Sequence, residues 1–200
     1  MDIRELDRRA MDVTAGLVGQ VGAEHWNAAT PCAGWRVADL LAHVLGQYHG
    51  FALAASGEPT TLADFRPRPV RADELAAAYP AAADRVSDAF AQPGVLERQF
   101  WLPEIRDGGA FPAQAAIGFH LVDEVVHAWD LARAIGKPVE FDAEVSKVAL
   151  AIAVRVPDDP ASRAPGAAFA PGHRLEPSAP VLDRIVALLG RRPDWTAPLD

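Results

Sequence analysis

The sequence predicts an all-α protein, a four-helix bundle with additional short C-terminal helices. Three observations predict it. Four segments carry apolar residues at three- and four-residue intervals, the repeat of a single helix face. The stretches between them are long and punctuated by Pro and Gly, which break regular structure. The chain has 200 residues, 50% of them hydrophobic, enough for one sizeable core. Helices that each bury one stripe are satisfied by packing on one another. The expected organisation is one domain over residues 1–200, with the bundle over about 1–137 and a C-terminal extension over about 138–200.

Residues 3–21 form the first predicted helix, its stripe running Ile3, Leu6, Ala10, Val13, Leu17 and Val21. The segment WNAATPCAGW follows as a turn, with Pro31 and Gly34 as breakers. Residues 36–55 form the second helix, buried along Val37, Leu40, Leu41, Val44, Leu45 and Tyr48, and stopped by Gly57 and Pro59. Residues 58–71 read as loop, with Pro59, Pro67 and Pro69. A third helix is expected from Asp73, as N-cap, to about Phe90, kinked or started later because of Pro80. Residues 95–111 read as an irregular connector with one short strand, interrupted by Pro103 and the Gly108-Gly109 pair.

Residues 112–136 form the fourth helix, with Pro112 suited to its first turn and Gly136 and Pro138 to its end. Its stripe runs Ala116, Phe119, His120, Asp123, His127, Asp130 and Ala134. Residues 142–155 form a shorter fifth helix capped by Asp142. Residues 157–180 are rich in Pro, Gly, Ala and Ser and read as loop, and a last helix runs from Ser178 to about Leu189, before GRRPDW.

The formal net charge of −8 argues against a nucleic-acid partner, because phosphate binding needs a basic face. No run approaches the roughly 20 apolar residues of a membrane span, and the charged start MDIRELDRRAMDV lacks the apolar core of a secretion signal. A single cysteine, Cys32, rules out an intrachain disulfide. These features fit a cytoplasmic protein acting on small molecules. An exposed bundle face is compatible with a homodimer.

The chemistry concentrates in two helices. Asp123 and His127 stand four residues apart, one helical turn, and point the same way. His43 lies on or beside the apolar stripe of the second helix. Two nitrogens and one carboxylate oxygen suit a divalent metal, and three protein ligands leave coordination positions open for a reactant. A cation is also the simplest partner for a buried carboxylate. Spacing alone does not settle this, since an Asp and a His four apart are common on solvated faces and nothing local ties the two helices together. Asp130 is placed to orient a ligand histidine by accepting its free ring N–H, or else to pair with Arg133. His120 lies on nearly the same face, as an outer-layer or core histidine. Glu124 reads as a neighbouring solvated charge that replaces Asp123 if the helix is rotated. Arg133 reads as a surface ion pair, with a substrate carboxylate as the alternative. Cys32 reads as a small filler before a helix N-terminus. Trp35 and Trp129 read as packing residues, either of which would also border a pocket. The Trp101–Pro103 connector and the 157–177 loop are candidates to cover the open end.

The segment TPCAGWRVADLLAHV, from Thr30 to Val44, resembles a signature of the mycothiol-dependent maleylpyruvate isomerase N-terminal family, among the DinB-like metal-binding four-helix bundles. The residues that carry it are Thr30-Pro31-Cys32, Trp35, Val37, Asp39-Leu40 and His43. DEVVHAWDLARAIG, from Asp123 to Gly136, resembles the family's second signature, and GRRPDW resembles the ending of a compact subgroup. The resemblance implies a DinB-like fold with His43, Asp123 and His127 as ligands. It also implies mycothiol as a low-molecular-weight thiol partner. Two departures stand out: the isomerase has Glu where this chain has Asp123, and it carries a separate C-terminal domain where this chain has some sixty residues.

Zinc is the first expectation for the metal; nickel, iron and manganese also suit these ligand types. Such a centre deprotonates a bound thiol or lowers the pKa of bound water to about 7. The leading reading is therefore a transferase or isomerase in which a metal-bound thiolate attacks a small electrophile. The alternatives are a metal-dependent hydrolase of a small substrate and a non-catalytic metal- or ligand-binding module.

Overall fold

The computed structural model describes residues 2–68, 70–105, 108–165 and 167–197. Pro69, one of the three expected loop prolines, lies outside the described residues. Among the described residues six α-helices and one two-stranded hairpin follow one another: α1 (Ile3–Val18), α2 (Val37–Ser56), α3 (Ala72–Ala91), β1 (Gln99–Leu102), β2 (Gly109–Pro112), α4 (Ala113–Ala134), α5 (Ala143–Ala153) and α6 (Val181–Leu188). In the bundle α1 packs on α4 and α3, and α2 packs on α3 and α4. The expected all-α bundle with short C-terminal helices is what forms.

Local chemistry sets the helix ends. Asp2 caps α1 by accepting the Arg4 N–H, and α1 stops at Val18, a turn before the expected 21. Gly16, Gly19 and Gly22 lie in this stretch, and each glycine costs a helix about 1 kcal/mol relative to alanine. The Asp39 carboxylate accepts the Arg36 N–H at the start of α2, and Gly57 closes that helix at φ 80°, a conformation glycine takes without strain. α3 differs from expectation in two ways. Its cap is Arg71, with Asp73 inside the first turn and paired to the Arg71 guanidinium, and the helix continues through Pro80. Asp142 caps α5 as expected, accepting the Glu144 and Val145 N–H groups. α6 starts only at Val181, after Pro180.

The connector holds two strands where one was expected. Gln99 faces Pro112, Phe100 faces Phe111, Trp101 faces Ala110 and Leu102 faces Gly109, antiparallel. Gly108, at φ 94°, leads into β2 and Gly109 is its first residue, so the glycine pair that reads as an interruption marks where the second strand begins. Pro112 closes β2 and caps α4, just outside the helix.

α4 is the central element. It is buried around nearly its whole circumference because α1, α2, α5, α6 and the hairpin all pack on it. Helix α2 is approached as closely by its own following loop. A Cβ on Gly46 would run into the Arg66 carbonyl oxygen, a backbone atom that cannot swing aside. Gly46→Ala is therefore expected to destabilise the protein by about 1–3 kcal/mol despite its gain in helix propensity. Thermal denaturation checks this; an unchanged or higher Tm would mean the loop yields freely.

Candidate metal centre

Helices α2 and α4 bring His43, Asp123 and His127 together. One ligand atom from each lies within 4.8 Å of the others. The His127 Nε2 is 3.3 Å from the Asp123 Oδ1, and the two imidazole centroids are 5.1 Å apart, edge to face. His127 is 6% exposed and Asp123 24%, so the trio sits in a wall of the bundle with one side reachable. His43 is half-buried and has no hydrogen-bond partner among the described residues. Burial, together with the neighbouring His127 charge, pushes its pKa down to about 4. It is therefore a neutral imidazole with a free lone pair at neutral pH, the form a metal needs. Burial alone would lower His127 too, but Asp123 and Asp130, one on each ring nitrogen, hold it well above the ordinary imidazole range. Burial acts to raise Asp123, and the His127 charge overrides it and keeps the carboxylate ionised. Two nitrogens and one ionised oxygen that meet around a proton on His127 Nε2 fit a divalent cation in that proton's place.

Asp130 behaves as the sequence suggested for a residue behind the ligands. Its Oδ2 accepts from His127 Nδ1 at 3.1 Å, which leaves Nε2 facing the trio. Its cation partner, however, is Arg191, not Arg133. The Arg191 Nη2 is 2.9 Å from Oδ2 and its Nε is 3.4 Å from Oδ1. Arg133 instead lies over the Trp129 ring, 5.4 Å from its centroid, and donates to the Pro193 carbonyl.

Cys32 is more than filler. Its Sγ is 3.0 Å from Asp130 Oδ2 and 3.2 Å from Arg191 Nη2. The loop before α2 aims it there. The Thr30 hydroxyl accepts the Cys32 N–H at 3.2 Å and meets the Trp35 carbonyl at 3.1 Å, while Gly34 at φ 82° closes the turn. The same turn sets Trp35 beside the ligands, 4.9 Å from the His43 ring and 6.3 Å from the His127 ring. On the other side, Gln47, one turn beyond His43, donates to Glu104 at 2.9 Å, so the connector reaches α2 next to the trio. The 157–177 loop arrives from the far end, where Phe169 lies under the Arg191 guanidinium.

His120 takes the core alternative and not a place behind the ligands, and Glu124 requires correction. His120 bonds to none of the three proposed ligands; its Nδ1 pairs with Asp7 of α1 at 2.8 Å. Glu124, expected in solvent, is 2% exposed and accepts from the Thr14 hydroxyl at 2.9 Å. These two, with Asp7, Thr14, Tyr48 and Tyr79, form a separate polar network inside the bundle; the two phenol oxygens are 2.6 Å apart. Among the described residues the His120 Nε2 has no hydrogen-bond partner. The His120 ring sits among aromatic rings, its centroid 4.9 and 5.3 Å from those of Phe51 and Phe90 in edge-to-face arrangements.

Comparison with known proteins gives this arrangement a context. Residues 8–132 match the family described as the mycothiol maleylpyruvate isomerase N-terminal domain. The chain belongs to that family. It is 36% identical over 193 residues to the uncharacterized protein Rv0738 of Mycobacterium tuberculosis strain H37Rv, covering 96% of this chain and 98% of that one. The uncharacterized protein MT0763 of strain CDC 1551 matches with the same figures. Its fold is similar to the crystal structure of the mycothiol-dependent maleylpyruvate isomerase, with TM-score 0.61 and 18% identity over 86% of this chain and 82% of that one. A histidine-to-alanine mutant of that isomerase superposes with TM-score 0.62 and 17% identity. The matched share is more than the bundle alone supplies, so the C-terminal extension takes part in the likeness. No described helix is long and apolar enough to cross a membrane.

Proposed function

We propose that His43, Asp123 and His127 hold a divalent ion, zinc first, and that the chain couples a low-molecular-weight thiol of the mycothiol type to a small electrophile, as a transferase or isomerase. The observation that carries the reading is the meeting of the three side chains, from helices eighty residues apart, with one side reachable from solvent. Membership of a family described by mycothiol and maleylpyruvate isomerase supports the thiol and the small substrate. When bound, the ion would supply Lewis acidity, enough to lower the pKa of a thiol or a water toward neutrality.

The chain's own residues do the rest. Asp130 keeps a proton on His127 Nδ1 and so presents Nε2 to the ion. His43, neutral at physiological pH, needs no proton removed before it ligates. The Trp35 indole walls both imidazoles and keeps bulk water from that side. Glu104 and Gln47 mark the polar rim on the other.

The test is consumption of thiol with a panel of small electrophiles by zinc-loaded protein. Mycothiol-dependent turnover that His43→Ala abolishes is the expected result. Turnover that needs no thiol would replace the reading with a hydrolase. No turnover, together with ligand binding that survives His43→Ala, would replace it with a binding module.

A further inference from the structure

Two sets of described side chains are close enough to hold an ion, and they share His127. The first is His43, Asp123 and His127; the second is Cys32, His127 and Asp130, also within 4.8 Å of one another. The first set uses His127 Nε2 and the second His127 Nδ1. A single imidazole serves both only as a doubly deprotonated bridge, so one set must give way. The second set already contains a cation. The Arg191 guanidinium, 8% exposed, grips Asp130 through Nε and Nη2 and touches the Cys32 sulfur at 3.2 Å. Its Nη1 donates to the Leu189 carbonyl at 2.9 Å, and Phe169 stacks beneath it at 5.6 Å. A guanidinium held this way has no freedom to leave and is never deprotonated in proteins.

We infer that Arg191 is a positioning residue that stands where a second metal would, and so commits His127 to present Nε2 to His43 and Asp123. This rests on the proposed reading of the trio and adds to it a role for the C-terminal segment. Arg191 holds both Asp130 oxygens in place, so Oδ2 stays aimed at His127 Nδ1 as an acceptor and the ring keeps Nε2 turned toward His43 and Asp123. Without Arg191, the Cys32 sulfur, an Asp130 oxygen and His127 Nδ1 become a soft-and-hard ligand set that competes for the same ion.

The test is titration of the full metal-free chain with cobalt(II), whose bond to a thiolate gives a sulfur-to-cobalt charge-transfer band. Wild-type protein is expected to bind cobalt without that band. Arg191→Met is expected to show the band, to lose it in the Arg191→Met/Cys32→Ser double variant, and to bind the His43 set on the order of ten- to hundredfold more weakly. Arg191→Lys keeps a cation and is expected to show no band. Arg191→Met alone leaves Asp130 buried and unpaired. If it fails to fold, Arg191→Met/Asp130→Asn removes both charges and must still show the weakened affinity. A folded Arg191 variant with wild-type spectrum and affinity would overturn the inference, as would a thiolate band in wild-type protein. No cobalt uptake by wild-type protein would instead sink the trio itself, and Arg191's role with it.

Discussion

His127→Ala is expected to abolish ion uptake and to destabilise the metal-free protein by about 3 kcal/mol, while His43→Ala abolishes uptake with little loss of stability. The two imidazoles differ in what they hold apart from a metal. His127 stands between two carboxylates, Asp123 at 3.3 Å and Asp130 at 3.1 Å; Arg191 is the main charge that keeps Asp130 ionised, and His127 is the one that keeps Asp123 so. Removing it leaves Asp123 without a cation, and an uncompensated buried charge is among the costliest single defects. His43 is uncharged and makes no hydrogen bond among the described residues, so its loss removes only packing against Trp35 and His127. Thermal denaturation in chelator, beside a competition titration with zinc, measures both effects. Equal losses of Tm in the two variants would show that Asp123 does not depend on His127.

Asp7→Asn is the second large effect, expected to cost about 3 kcal/mol at neutral pH and to flatten the fall of stability in alkali. Burial alone would lower His120, but the ion pair with Asp7, reinforced by Glu124, raises it from 6.5 to about 9. A histidine raised on folding contributes stability that is complete below its ordinary pKa of 6.5 and is lost as pH rises through about 9. Glu124 acts in the same direction. Burial lifts it from 4.5 to about 7, so its contribution is complete below 4.5 and lost as pH rises through about 7. The metal-free protein should therefore lose Tm steadily between neutral pH and about pH 9, with that loss reduced in Asp7→Asn and the remainder supplied by His127, which is also held above the imidazole range. A Tm that stays flat or rises across this range in the wild type would contradict the assignment.

The architecture was legible in the sequence because α1 and α3 each bury a single stripe, and α2, buried more widely from Val44 onward, still carries the apolar repeat of one. The chemistry of α4 was legible only in part, and the reason is geometric. A helix buried on nearly every side has no solvated face, so spacing places Asp123 beside His127 correctly yet sends Glu124 wrongly into water. His120 reads as sharing the ligand face, whereas the position of α1 gives it Asp7. The missed residues, Cys32 and Arg191, are 159 positions apart and meet only through folding. The clue was that each lies in a conspicuous segment, Thr30-Pro31-Cys32 and GRRPDW; nothing in either names its partner. The second strand was hidden because Gly108-Gly109 looks like a break when it is where the strand begins. α1 ended early because glycines outweighed an apolar pattern that continued to Val21.

Metal content decides the central claim most directly. Protein purified without a polyhistidine tag, which would itself carry metal, is expected to hold about one divalent ion per chain by elemental analysis. His43→Ala, Asp123→Ala and His127→Ala should each lose it while remaining folded by circular dichroism. An ion retained at full occupancy in any two of the three variants, or none taken up by wild-type protein offered zinc, would contradict the account.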